Sequence, residues 1–403
     1  MRPSPGSRLA ASARTLSPRH VVPRITERGR RVLRQHWPLL VVLGCAAALR
    51  VVVSLAYQPA LIFPDSERYL AYAQLFINGH WSPDWLRTSG YSLLLIPVVL
   101  THNLVVVPLV QHLLGLATAV LIYAVLVHFG SRRWLAALGC IPVLFDPLQL
   151  DIEQYVLTDV SATFLLTAAL VVLVWKRGAI GRVAPVVAGL MLGAATAIRQ
   201  SDLIVIIPAA LYLVAAVRPW RRFAMRASLL LAGFLLPVLG YLGWFQATGG
   251  QFDFVSYNGE FLYGRIAQFA DCTGVPMPAY ERHLCPQQPP AQRNPDFYMW
   301  SPQSPQVTLK APPGMSKDDI ILDFDRRIIE HQPLTYLKVM ADDVLYSFSP
   351  VRGDGPEHYP VWYHQFHPYY PTYLYARGAL RTYGHTSPHV EPALADFLSG
   401  YGR

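Results

Sequence analysis

Residues 37–247 alternate long apolar runs with short polar clusters, and this pattern predicts helices long enough for a bilayer. A hydrocarbon core asks for roughly 20 mainly apolar residues per helix. Residues 37–57 supply the first such run and 104–129 the second. Residues 134–147 and 158–175 follow, the former short; 183–199 and 202–217 read as a tight hairpin, and 227–247 as a seventh span. The first run is too long and too far from Met1 for an ordinary signal peptide, so it reads as a retained anchor. Residues 90–100 (GYSLLLIPVVL) are apolar but too short to cross. They fit a re-entrant piece that makes a groove for a lipid tail, or equally an interfacial helix.

Beyond residue 247 the pattern changes. Residues 276–313 are rich in proline and read as extended loop. A helix is expected after Ser316, with Asp319 completing a capping pair and Ile320, Ile321, Phe324 and Ile328 forming its apolar stripe. Pro333 suits the first turn of a second helix over 334–348, with Leu337, Met340, Val344 and Phe348 on one face. The expected architecture is therefore all-α: a polytopic bundle of about seven spans plus a re-entrant or interfacial helix. A disordered basic cytoplasmic N-terminus (1–36) precedes the transmembrane domain (37–247, outer loops 58–103 and 146–158). An extracytoplasmic α-rich region (248–403) follows, either short by nature or cut before further spans.

Charge sharpens this picture. Of 403 residues, 53% are hydrophobic and 15% charged, below the roughly 25% typical of soluble chains. Nine arginines crowd residues 2–34 against the single acid Glu27, whereas residues 248–403 carry 16 acids and 12 bases. The net charge of +9 thus sits beside the first apolar run, not on a basic folded surface of the kind nucleic acid requires. Arg132, Arg133, Lys176, Arg177, Arg182, Arg218, Arg221, Arg222 and Arg226 mark one face as cytoplasmic by the positive-inside rule. Apart from Glu27, every acid before residue 248 falls on the other face. The C-terminal region then lies outside, in the cell-envelope space, where Cys272 and Cys285 form one disulfide or remain two thiols.

Several side chains are candidates for chemistry. In PDSERYLAYAQLFINGHW (64–81), Asp65 caps a short helix over 66–77, whose stripe of Tyr69, Leu70, Ala73 and Phe76 is expected on the membrane surface. In FDPLQLDIEQYVLTDV (145–160), Asp151, Glu153 and Asp159 precede the fourth span, and an acid at a helix start also suits the dipole. The convergence of two acid-bearing loops favours a carboxylate base near a low-dielectric surface over two unrelated caps. Arg199 either snorkels beside Asp202 or clamps phosphate through paired guanidinium donors. Arg50, inside the first span, is a functional candidate by default, or the structural partner of an outer-loop acid.

In order, PDSERYLAYAQ, Arg87 to Leu95 (R-x-x-G-Y-x-L-L-L), Glu153 to Asp159 (E-x-x-x-L-T-D) and Thr196 to Arg199 (T-A-I-R) resemble the GT-C superfamily of membrane glycosyltransferases. The branch is that of protein O-mannosyltransferases and the lipid A aminoarabinose transferase. The resemblance covers roughly residues 38–250. The motifs FADC (269–272), LCP (284–286) and DDVLYSFSP (342–350) look like the phospholipid carrier-dependent subgroup. It implies inverting sugar transfer from a polyprenyl phosphate-linked donor to a glycan, lipid or protein acceptor. Asp65 would be the catalytic base, with Glu67 a second candidate and Asp159 positioning acceptor or sugar. Arg87, Tyr91, Glu153, Arg199 and Arg50 would contact substrate.

A membrane transporter or flippase, and a non-catalytic envelope-assembly protein, are the alternatives. Acids gathered at one face, with only Arg50 inside a span, fit a transporter poorly. The tail histidines His358, His364, His367, His385 and His389 match no tight zinc spacing, so a divalent metal is not indicated and no cofactor is assigned. Membrane lipids are the expected partners; nucleic acid is not.

Overall fold

The computed structural model describes residues 33–176, 180–349, 365–371, 376–383 and 388–402. Residues 1–32 of the N-terminus expected to be disordered (1–36), and the positions of His358, His364 and His385, lie outside them. From Trp37 to Thr101 the chain forms α1 (Trp37–Ala56), the two-residue strand β1 (Tyr57–Gln58), α2 (Pro64–Ile77), α3 (Gly90–Leu94) and α4 (Ile96–Thr101). Then come α5 (Val106–His128), α6 (Arg133–Leu138), α7 (Ile141–Phe145), α8 (Pro147–Gln154), α9 (Asp159–Val174) and α10 (Val183–Ile198). A 3-10 turn over Gln200–Val205 leads into α11 (Ile206–Ala216) and the long α12 (Trp220–Gly249). The C-terminal region holds α13 (Asn258–Ile266), α14 (Pro295–Trp300), α15 (Pro305–Thr308), α16 (Lys317–His331), α17 (Pro333–Ser347), α18 (Ala376–Tyr383), β2 (His389–Val390) and α19 (Pro392–Tyr401).

Among the described residues only α1, α5 and α12 are single helices long and apolar enough to cross a membrane. A fourth arises if α6–α7 and α8, bent by 53° at Asp146, are counted as one. The seven-span bundle is therefore corrected. The apolar runs at 158–175 and 183–199 become helices of 16 residues each, and that at 202–217 splits into a six-residue 3-10 turn and an 11-residue helix. At 1.5 Å per residue a 16-residue helix reaches about 24 Å, short of the ~30 Å hydrocarbon core. Apolar run length in sequence overstates helix length because Arg199 adopts extended backbone and ends α10. The seven-span, cell-membrane placement with an external C-terminal region falls with the span count. Three spans and four put the following segment on opposite sides.

The helices pack in sequence, α1 on α5, α5 on α9, α9 on α10 and α10 on α12. A second core, of Tyr263, Ile266, Phe324 and Ile328, joins α13 to α16 in the C-terminal region. There Cys272 and Cys285 form the expected disulfide, bridging a sequence separation of 13. The stripe of α16 is buried as expected, although Ser316 supplies no side-chain cap. The face of α17 is not buried: Leu337 and Val344 are each 60% exposed.

The last described segments return to the first ones. β2 pairs antiparallel with β1, setting Tyr57 opposite Val390. Tyr57 donates its hydroxyl to His367 O at 2.6 Å, Tyr370 donates to Ala60 O at 2.5 Å, and Glu391 N–H reaches Ala56 O at 3.0 Å. Tyr401 donates to Phe145 O. Phe366, Tyr383, Ala395 and Leu398 sit in one core with Tyr57, Leu61 and Tyr69.

Candidate functional site

The cleft grows from three helix ends. Pro64 opens α2 and places Asp65 in its first turn. The capping is done by Ser66, whose Oγ accepts from Phe63 N–H at 2.9 Å and donates to Val156 O at 2.8 Å. Asp65 is thereby free of the capping role expected from sequence. Asp159 is the first residue of α9, and Arg199 lies just past the last residue of α10. The α2 stripe of Tyr69, Leu70, Ala73 and Phe76 is buried in protein, not laid on a membrane surface. The 90–100 piece has both buried and exposed apolar residues, Leu93, Leu94 and Leu100 among the exposed. It becomes α3 and α4, joined at Leu95, with Tyr91, Ser92, Val98 and Val99 buried in the fold.

A cavity of about 290 Å³ opens between these ends, with Asp65, Tyr69, Arg87, Thr158, Asp159 and Arg199 in its wall and Gln200 and Phe261 at its margin. Arg87 Nε donates to Asp65 Oδ2 at 2.9 Å, and Arg199 Nη1 donates to Asp159 Oδ1. The two ion pairs are part exposed, side chains showing 20–24% in the first and 30–45% in the second. Pairs so wetted contribute at most about 1 kcal/mol each to stability. Their guanidinium groups therefore exchange partners at little cost.

Tyr69 reports the field in the cleft. Burial pushes its phenol up; Asp65 and Asp159 push it further, and Arg87 and Arg199 oppose them. Asp202, behind Arg199, is raised by burial, with Arg199 opposing and Asp159 adding. Cζ of the Arg87 guanidinium lies 4.8 Å from the centre of the Phe261 ring and 5.7 Å from that of Trp300. The C-terminal region thus closes one wall of the cleft. Sequence reading missed both rings, because nothing local in α13 or α14 points to an arginine some 170 positions or more upstream.

The other expected site residues sit elsewhere. Glu67 does not line the cavity; it faces α18, where a Cβ on Gly378 would collide with its Oε1. Its carboxyl is raised by burial. Tyr91 is buried, donating to Gln111 Oε1 at 3.1 Å beneath Tyr69. Arg50 and Glu153 form a wholly buried pair: Arg50 Nη2 donates to Glu153 Oε1 at 2.8 Å, and Nη1 donates to Leu144 O at 3.0 Å. His112 Nδ1 lies 2.7 Å from Glu153 Oε2, and Gln149 Nε2 donates to Oε1 at 3.1 Å. This network ties α1, α5 and α8 together. Asp151, beside it on α8, is buried, and neither of its oxygens has a hydrogen-bond partner among the described residues.

No group of three or more His, Cys, Asp or Glu residues is placed to hold a metal among the described residues. No protein-family model matches the chain, and no curated protein or solved structure matches it. The resemblance to the GT-C glycosyltransferases is corrected on these grounds. Its motifs are present in order, but the fold they imply is a many-spanned bundle, and the chain has three membrane-length helices, or four. Much of the described chain is instead a helical body braced by ion pairs and a disulfide. Polyprenyl-phosphate-dependent sugar transfer at a membrane-embedded site loses its architectural basis.

Proposed function

We propose that the cleft binds a small anionic molecule, with Arg87 and Arg199 taking its charge and Asp65 serving as acceptor for a proton on the ligand or on a water beside it. The observation that carries this reading is the convergence of two part-exposed Asp–Arg pairs on one cavity from four separate segments. Guanidinium recognises phosphate and carboxylate through paired donors. A carboxylate that gives up its arginine to an incoming anion becomes available as a base. Asp159 plays the same part for Arg199, and Tyr69 and Thr158 offer hydroxyls to the ligand's remaining oxygens.

Calorimetric titration of the full chain with inorganic phosphate and pyrophosphate tests this. Arg199→Gln is expected to weaken binding about tenfold or more, the worth of one charge-assisted hydrogen bond. Asp159→Asn is expected to strengthen it several-fold, because Arg199 no longer has an internal competitor. Two merely structural staples would give a different result: both variants would lower the melting temperature similarly and neither would change anion binding.

A further inference from the structure

We infer that the end of the helical body remote from the cleft seats the phosphate of an anionic phospholipid headgroup, in a groove between the start of α1 and the turn joining α5 to α6. Helices α9 and α10 define the two ends. α9 begins at the cleft with Asp159 and α10 finishes there with Ile198, so Val174 and Val183 lie at the far end. Contacts draw other termini to the same place. His128, closing α5, stacks on Trp175 at 4.5 Å; Arg226 Nε, in the early part of α12, donates to Ile180 O at 2.9 Å; Arg133 Nη2 donates to Gln35 Oε1 at 3.3 Å.

The chemistry of this end is one-sided. Residues 33–37, 128–138, 174–176, 180–183 and 216–226 carry nine Lys or Arg and no Asp or Glu. Trp37, Trp134 and Trp220 stand there 62%, 50% and 71% exposed, with Trp175 at 39%. Exposed indoles among cations are the side chains that sit at a lipid headgroup layer, apolar ring toward the acyl region and N–H toward water. Between Trp37 and Trp134 the surface dips into a groove of about 580 Å³, whose wall includes Gln35, Ser131, Arg132 and Arg133. Two adjacent guanidinium groups suit a phosphate diester.

The surroundings argue for a lipid over free phosphate. Apolar side chains run on from the groove along α1 and α6: Leu40 is 44% exposed, Val41 54%, Leu135 45% and Leu138 49%. Free phosphate leaves all of that surface in water. A phospholipid covers it with acyl chain while its headgroup neutralises Arg132 and Arg133.

The test mixes the full chain with phosphatidylcholine vesicles with and without phosphatidylglycerol, carrying brominated acyl chains that quench nearby indoles. The contribution of Trp134 is the difference between wild type and Trp134→Phe. Wild type is expected to bind at least tenfold more tightly when phosphatidylglycerol is present, with Trp134 quenched. Arg132→Gln/Arg133→Gln should lose most of that preference and the quenching, whereas Arg132→Lys/Arg133→Lys retains part of both. The arginines of residues 2–34 contribute equally to every variant, so only differences count. Wild-type preference and quenching in the double Gln variant would overturn the assignment. Occupancy by millimolar inorganic phosphate without any vesicle preference would overturn it too. Neither result depends on whether the Asp–Arg cleft binds anions.

Discussion

Asp325 on α16 is fully buried, and neither carboxyl oxygen has a hydrogen-bond partner among the described residues. Burial, with Asp318 adding to it, holds its carboxyl well above the ordinary range. The folded chain therefore keeps this proton to higher pH than the unfolded chain. Its contribution to stability is complete below about pH 4, the ordinary aspartate value, and is lost as pH rises through the raised folded value. Asp325→Asn should flatten that decline and raise the melting temperature at pH 8 relative to wild type, as read by thermal unfolding at pH 4, 6 and 8. Gly115 is the other telling residue. A Cβ there would overlap Glu153 Oε1, so Gly115→Ala drives the carboxylate off Arg50. Separating a buried ion pair costs on the order of 3–5 kcal/mol; chemical denaturation of the variant measures the loss. The acids at the cleft were legible in sequence from their place before helix starts. Their partners were not, because the Asp65–Arg87 and Asp159–Arg199 pairings are fixed by how distant helix ends meet.

At the scale of elements, apolar periodicity located most helices to within a few residues, α1, α2, α5 and α16 among them. It misjudged what those helices face. The stripe of α2 and the α3–α4 piece carry the same apolar residues whether they meet lipid or protein, and only the packed structure distinguishes the two. The crossing of α10 and α12 rests on missing side chains: a Cβ at Gly189 would strike Leu230 O, and one at Gly233 would strike Val186 O. Small residues at such a crossing let backbones approach closely. Gly189→Val should wedge the pair apart and unfold this part of the molecule at lower temperature, detectable as earlier hydrogen exchange in α10 and α12 than elsewhere. In the C-terminal region the Cys272–Cys285 bridge closes a short loop beside the α13–α16 core. Cys272→Ser/Cys285→Ser should destabilise that region by about 3 kcal/mol, the loop-closure value for such a span. Calorimetry with and without reductant reads it directly.

For the whole molecule, the sequence made the division of charge plain: acids toward one end of residues 37–247, bases toward the other. That asymmetry survives in the structure although the span count does not. It now separates the anion cleft from the groove at the basic end. What no local pattern revealed is the closure of the chain upon itself, with β2 against β1 and Tyr370 and Tyr401 reaching back to Ala60 and Phe145. These contacts join positions more than 250 apart in sequence. Contacts of such long range slow the final step of folding, since the ends must meet before either is rewarded. During synthesis, the hydrophobic pocket around Tyr57 and Leu61 waits for Phe366, Ala395 and Leu398, which are made roughly 300 residues later. A nascent chain stalled before Phe366 should hence be protease-sensitive next to α1, and become resistant only once the segment through Tyr401 has been released.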